Sequence, residues 1–99
     1  MSVLVVGSFV VDLVAQCERA PEAGETLTGK SFNIYLGGKG ANQAITAKRM
    51  GANVVMAGCL GTDIFGDDFI KTFKQEGLSV ENITRTEEDR TGCSLVTLE

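Results

Sequence analysis

The stretch LGGKGANQA, residues 36–44, sets Gly37, Gly38 and Gly40 around Lys39 and passes straight into Ala41-Asn42-Gln43-Ala44. Glycine is the poorest helix former after proline, so these three serve backbone geometry or close approach. The spacing predicts a helix from about Ala41 to Met50, with Gly51 just past its end. Val3–Val6 is a continuous apolar run closed by Gly7, which predicts a strand buried on both faces. Val54–Cys59 reads as a second such strand, closed by Gly61. Thr62 or Asp63 then caps a helix to about Glu76, followed by Gly77. Phe65, Phe69 and Phe73 fall at i, i+4 and i+8, the spacing of a helix face turned to the core. Ile83–Arg85 suits a short strand and Cys93–Leu98 a longer one, with Glu87–Arg90 between them as a solvated turn. Leu27–Leu36, punctuated upstream by Pro21 and Gly24, reads as extended. Strand, extended excursion, helix, strand, helix, strand is an α/β layout: a parallel sheet with a β insertion after its first strand.

Composition bounds what this fold can do. The chain has 99 residues, 43% hydrophobic and 22% charged, with one proline. Those figures suit one ordered domain with a modest core. A net charge of −4 offers no cationic surface for a phosphate backbone, so nucleic acid is not an expected partner. The apolar start lacks a basic leader, is broken by Gly7 and Ser8, and carries Asp12. It reads as neither signal peptide nor membrane span, and a cytoplasmic location is the default expectation. Cys17, Cys59 and Cys93 form no Cys-x-x-Cys pair, and the chain has no histidine. They read as buried free thiols, and Ser-His and Cys-His nucleophile pairs are excluded.

Two features fall at the C-terminal strand ends, where parallel sheets bind small ligands: Asp12 and the glycine loop. Asp12 interrupts an apolar run, either as a turn aspartate satisfied by backbone N–H groups or as an acceptor for ligand hydroxyls. The residues alone leave both readings open. The loop is not a Walker A motif, because Gly40 rather than Ser or Thr follows Lys39. Nor is it a dinucleotide fingerprint, because Gln43 stands where the third glycine belongs. Asn42, on the first helical turn, can both donate and accept, which suits a sugar hydroxyl better than a phosphate. Asp63, Asp67 and Asp68 cluster at a helix start, where capping and the helix dipole explain them better than a metal does.

Taken together, GGKGANQA at 37–44, GSFVVDL at 7–13, PEAGETLTG at 21–29, GCLGTDIFGDDF at 58–69 and TGCSLV at 91–96 resemble the ribokinase-like (PfkB-type) carbohydrate kinases. The resemblance runs in order over the whole chain and is to the N-terminal portion of that family. It implies a Rossmann-like parallel sheet with helices and a small β-sheet lid over the sugar. Core segments would be about 1–12 and 38–86, and lid segments about 13–37 and 91–99. The lid strands would be Leu13–Ala15, Leu27–Leu36 and Cys93–Leu98. By resemblance, Asp12, Gly38, Lys39 and Asn42 match sugar-contacting residues. Asp12 would accept from hydroxyls, Lys39 and Asn42 would donate, and Gly38 would let the backbone come close. Ribokinases usually place an asparagine two residues before the aspartate, where this chain has Val10, so the implied ligand is a pentose or hexose. The family uses ATP and Mg2+, and its catalytic aspartate and ATP site lie beyond the matched region. The expectation is therefore a sugar-binding portion, inactive alone as a kinase, that self-associates through the lid or an exposed sheet edge. The alternative is a non-catalytic sugar-binding or self-associating module on the same fold.

Overall fold

The computed structural model describes residues 2–99. The chain runs β1 (Ser2–Val6), β2 (Val10–Gln16), β3 (Ser31–Gly37), α1 (Lys39–Arg49), β4 (Asn53–Gly61), α2 (Ile64–Gln75), β5 (Ile83–Thr86) and β6 (Gly92–Leu98). One sheet has the order β1-β4-β5 and is parallel throughout. The second has the order β3-β2-β6, antiparallel between β2 and β3 and parallel between β2 and β6. The fold is thus a parallel sheet with helices and a small second sheet, as the sequence predicts.

Alternation along the strands decides where the core sits. Val5, Val54, Met56 and Leu60 point to one face of the first sheet and join one buried cluster with Ala41 and Ala44 of α1 and Phe69 and Phe73 of α2. Phe65 and Ile70 pack against its rim. The opposite face is bare: Leu4 is 66% exposed and Val6 74%, with Val55 and Cys59 beside them. The apolar run Val3–Val6 is therefore covered on one face only, not on both, because both helices bury their apolar residues in the same cluster. The thiols are corrected in the same way. All three are free, but Cys59 and Cys93 are exposed and Cys17 is half-buried. Cys59 alternates with the buried Leu60 and so falls on the uncovered face.

The largest feature hidden from sequence periodicity is Phe9. It sits in the three-residue connection between the sheets, yet it is 4% exposed. Its ring meets Phe69 edge-on at 5.1 Å and Phe73 at 5.5 Å between centroids, geometries that add to the burial of the aromatic surface. Gly58 of β4 makes room for it: a Cβ there would lie 2.7 Å from the ring.

The boundaries that bear on the site differ from the sequence reading, for reasons of strand pairing or backbone geometry. β2 covers Val10–Gln16 rather than Leu13–Ala15, because β3 and β6 pair with it along its whole length. The second sheet therefore already includes Val10–Asp12. β3 begins at Ser31, not Leu27, because Ser31 pairs with Gln16, the last residue of β2. α1 begins at Lys39 rather than Ala41, because Gly38, at φ 96°, turns the chain directly into the helix.

The second sheet gives the molecule an open outline. Its principal extents are 50 × 32 × 19 Å and its radius of gyration is 15.9 Å, against about 13 Å for a compact chain of this length. The accessible surface is 6647 Å², whereas a compact monomer of this mass exposes about 5,400 Å². Apolar side chains left uncovered on both sheets, including Phe32, Ile34 and Leu95 of the second, contribute to that surface.

Candidate functional site

The glycine loop closes on the chain's own backbone. A Cβ on Gly40 would lie 2.8 Å from Gly7 Cα and 2.9 Å from Ser8 N. A Cβ on Gly38 would lie 2.7 Å from Ser8 O and 2.9 Å from Val10 N, and its positive φ excludes side chains in any case. The Ala41 N–H donates to Ser8 O at 3.3 Å. Two of the three glycines are thus explained by contact between residues 7–10 and 38–40, before any ligand is considered.

That contact sets the strands' polar groups beside the loop. Asp12 lies mid-strand in β2, half-buried, rather than in a turn. Its neighbours in register are Tyr35 on β3 and Ser94 on β6. The Ser94 hydroxyl donates to Asp12 Oδ1 at 2.5 Å. On the other side, a Cβ on Gly37 would meet Asp12 Oδ2 at 3.1 Å, so the carboxylate rests against the residue that precedes Gly38 and Lys39. The adjoining row on the same face is Gly37–Val10–Gly92. Two of its three residues lack side chains, which makes a low floor beside the polar row Tyr35–Asp12–Ser94. Lys39 and Asn42, at the start of α1, are both exposed, and neither side chain is hydrogen-bonded among the described residues. Gly37 carries the chain from the Asp12 carboxylate into Gly38 and Lys39, and Asn42 follows in the first turn of α1. The sequence reading missed Ser94 and Tyr35. Only the strand register puts them beside Asp12, although Ser94 stands out as the one polar residue among Cys93, Leu95 and Val96. A separate hollow of about 550 Å³ between α2 and Arg85 is lined by none of these groups.

Two N–H groups of the first helical turn are already engaged, Ala41 with Ser8 O and Asn42 with Gly38 O, and the glycines face Gly7–Val10 rather than open space.

A second network fixes the start of β6. Asp63 caps α2 by accepting from the Gly66 N–H at 2.8 Å. It also accepts from the Thr91 N–H and the Thr91 hydroxyl, each at 2.8 Å. Thr91, the one buried polar residue among the described residues, accepts in turn from the Gly61 N–H. Arg85 Nε donates to Gly61 O, and its terminal nitrogen binds Asp67. Sequence reasoning placed Asp63 as a cap but did not foresee its link to Thr91, which comes from far along the chain. Partial burial pushes the Asp63 carboxyl up, but hydrogen bonds from Thr91 and Gly66, with Arg90 nearby, outweigh it and hold it below the usual aspartate range.

The sequence matches the description "pfkB family carbohydrate kinase" over residues 1–99, and the chain belongs to that family. It is 42% identical over 95 residues to a ribokinase of Mus musculus, covering 96% of this chain and 29% of the relative. It is 42% identical over 97 residues to a ribokinase of Lactococcus lactis, covering 97% of this chain and 32% of the relative. The solved Arabidopsis thaliana ribokinase complexed with ribose and ATP superposes with a TM-score of 0.92 at 31% identity, over 97% of this chain and 31% of that one. The chain thus spans about a third of its relatives' length and corresponds to their N-terminal portion.

The Asp63 network yields a pH dependence. A carboxyl whose folded pKa is depressed adds stability above its unfolded pKa and loses it as pH falls through the folded value. Asp63→Ala is expected to cost about 2 kcal/mol at pH 7, from the lost cap and the unpaired Thr91. The gap to the unaltered protein should narrow below about pH 4. Urea unfolding of both proteins at several pH values checks this; a gap independent of pH contradicts it.

Proposed function

We propose that this chain is the sugar-side portion of an ATP-dependent sugar kinase. The observation that carries the reading is the meeting of the Asp12 carboxylate with Gly37 at the mouth of the loop, in a chain of this family. Asp12 would accept from hydroxyls of a pentose or hexose, while Lys39 and Asn42 donate to its ring or hydroxyl oxygens. Hydrogen bonds to charged groups are the stronger ones, about 1.5–3 kcal/mol each, so Asp12 and Lys39 would carry most of the recognition. Gly38 acts through its backbone by turning the chain so that Lys39 emerges beside the acid. The sheet of β2, β3 and β6 would serve as the lid, with the β1-β4-β5 sheet and its helices as core.

Phosphoryl transfer also needs neutralised phosphate charge and an oriented nucleophile. The loop glycines pack against residues 7–10, which supports assigning ATP and Mg2+ to other parts of the kinase. No helix of the described residues is long and apolar enough to cross a membrane, and the acidic net charge argues against nucleic acid. A cytoplasmic sugar substrate fits both.

Calorimetric titration of the chain with a panel of pentoses and hexoses tests the reading. At least one sugar should bind, with Asp12→Ala weakening it by at least tenfold, the equivalent of about 1.4 kcal/mol. No sugar-dependent ADP formation should be seen. Equal binding by Asp12→Ala, or ADP formation abolished by that substitution, contradicts it.

The surface in excess of a compact monomer, roughly 1,200 Å², exceeds one side of a standard interface, about 800 Å². Together with the exposed Phe32, Ile34 and Leu95, it favours self-association through the second sheet or the open β1 edge. Sedimentation at micromolar concentration should show a dimer or larger species, and a monodisperse monomer contradicts this part of the reading.

A further inference from the structure

Three strands place a hydroxyl, a carboxylate and a phenol side by side on one face: Ser94, Asp12 and Tyr35. Between Ser94 and Asp12 the pairing is explicit, because the serine hydroxyl donates to Oδ1. That bond has two chemical consequences. Oδ1 already accepts the serine proton, which leaves Oδ2, on the Gly37 side, as the less engaged acceptor for a ligand hydroxyl. The serine oxygen has spent its single proton and presents only lone pairs, so toward a ligand it acts as an acceptor. Two acceptors from adjacent strands then face the floor of Gly37, Val10 and Gly92. Val10 contributes no polar group to that floor, so discrimination among ligands falls to the row above it.

We propose that Ser94 is a specificity-determining residue that, with Asp12, reads a pair of adjacent hydroxyls, so that the site selects a vicinal diol. The inference rests on the sugar-binding reading and deepens it. Asp12 Oδ2 accepts from one hydroxyl of the diol and Ser94 Oγ from its neighbour. A ring lacking one of the pair leaves the Ser94 oxygen without a ligand proton. Asp12 supplies binding strength common to all polyols; Ser94 supplies the distinction between them. Thr91 stands close before Ser94 in the chain and is locked to Asp63, so the register that brings Ser94 to Asp12 is anchored independently of any ligand.

The test is an NMR titration of the full 99-residue chain with D-ribose and with 2-deoxy-D-ribose, both locked as methyl furanosides, so that ribose carries one adjacent hydroxyl pair and 2-deoxyribose none. The unaltered chain should bind ribose about three- to tenfold more tightly, the range of one neutral hydrogen bond. Ser94→Ala should bring the two affinities within about twofold of each other while Asp12-dependent binding persists. Ser94→Thr, which keeps the hydroxyl, should restore the preference, a rescue that a merely structural role for Ser94 does not predict. Equal affinity of the unaltered chain for both sugars overturns the inference. So does a preference that survives Ser94→Ala, or an equal loss for both sugars in that variant. If neither sugar shifts any resonance of the unaltered chain, the sugar reading itself fails and the inference falls with it. If both bind and the ratio ignores Ser94, only the inference fails.

Discussion

The structure depends on a junction where two short backbone segments meet without side chains between them. Residues 7–10 leave the first sheet for the second, and residues 37–40 leave the second sheet for the first helix. They cross in contact, Gly7 against Gly40 and Ser8 against Gly38. At Gly7, Gly38 and Gly40 no other residue type can stand without moving the backbone. Phe9, in the middle of the first segment, drives its ring between Phe69 and Phe73 of α2 and ties the junction to the hydrophobic core. Packing in protein interiors is dense, so a change of one methyl group at the crossing is felt.

Everything proposed for the site follows from that crossing. β2 begins immediately after it and carries Asp12; β3 ends immediately before it and brings Gly37 against the Asp12 carboxylate. α1 starts from it, which places Lys39 and Asn42 at the same end of the molecule. The Asp63–Thr91 network performs the matching task at the far edge of the second sheet, where it fixes the start of β6 and with it the register of Ser94. The site is assembled from pieces distant in sequence, and each piece is held by contacts that do not involve a ligand. Such preorganisation lowers the entropic cost of binding.

Much of this was legible in the sequence. The helices announced themselves through Gly51, Gly77 and the Phe65-Phe69-Phe73 spacing, and the parallel strands through their valine runs. Asp12 and the loop stood out because an acid in an apolar run and clustered glycines both need a reason. What sequence could not supply was the partner of each residue. Phe9 lies in a connection too short to show periodicity, so nothing marked it as core. Ser94 gains meaning only from the register with Asp12, and Thr91 only from its contact with Asp63. The valines of β1 suggested cover on both faces, because a sequence run records apolarity and not whether a neighbour is present to bury it. The glycines invited a ligand as their explanation, when the first body to approach them is the chain itself.

The unfolding free energy of Gly40→Ala tests the junction most directly. Gly40 lies inside α1, where helix propensity alone makes alanine the better residue by about 1 kcal/mol. The contact with Gly7 and Ser8 demands the opposite sign, a loss of about 1–3 kcal/mol as the added methyl forces the two backbones apart. Destabilisation of that size is the predicted result. A variant as stable as the unaltered chain, or more so, would mean that residues 7–10 and 38–40 do not meet as described.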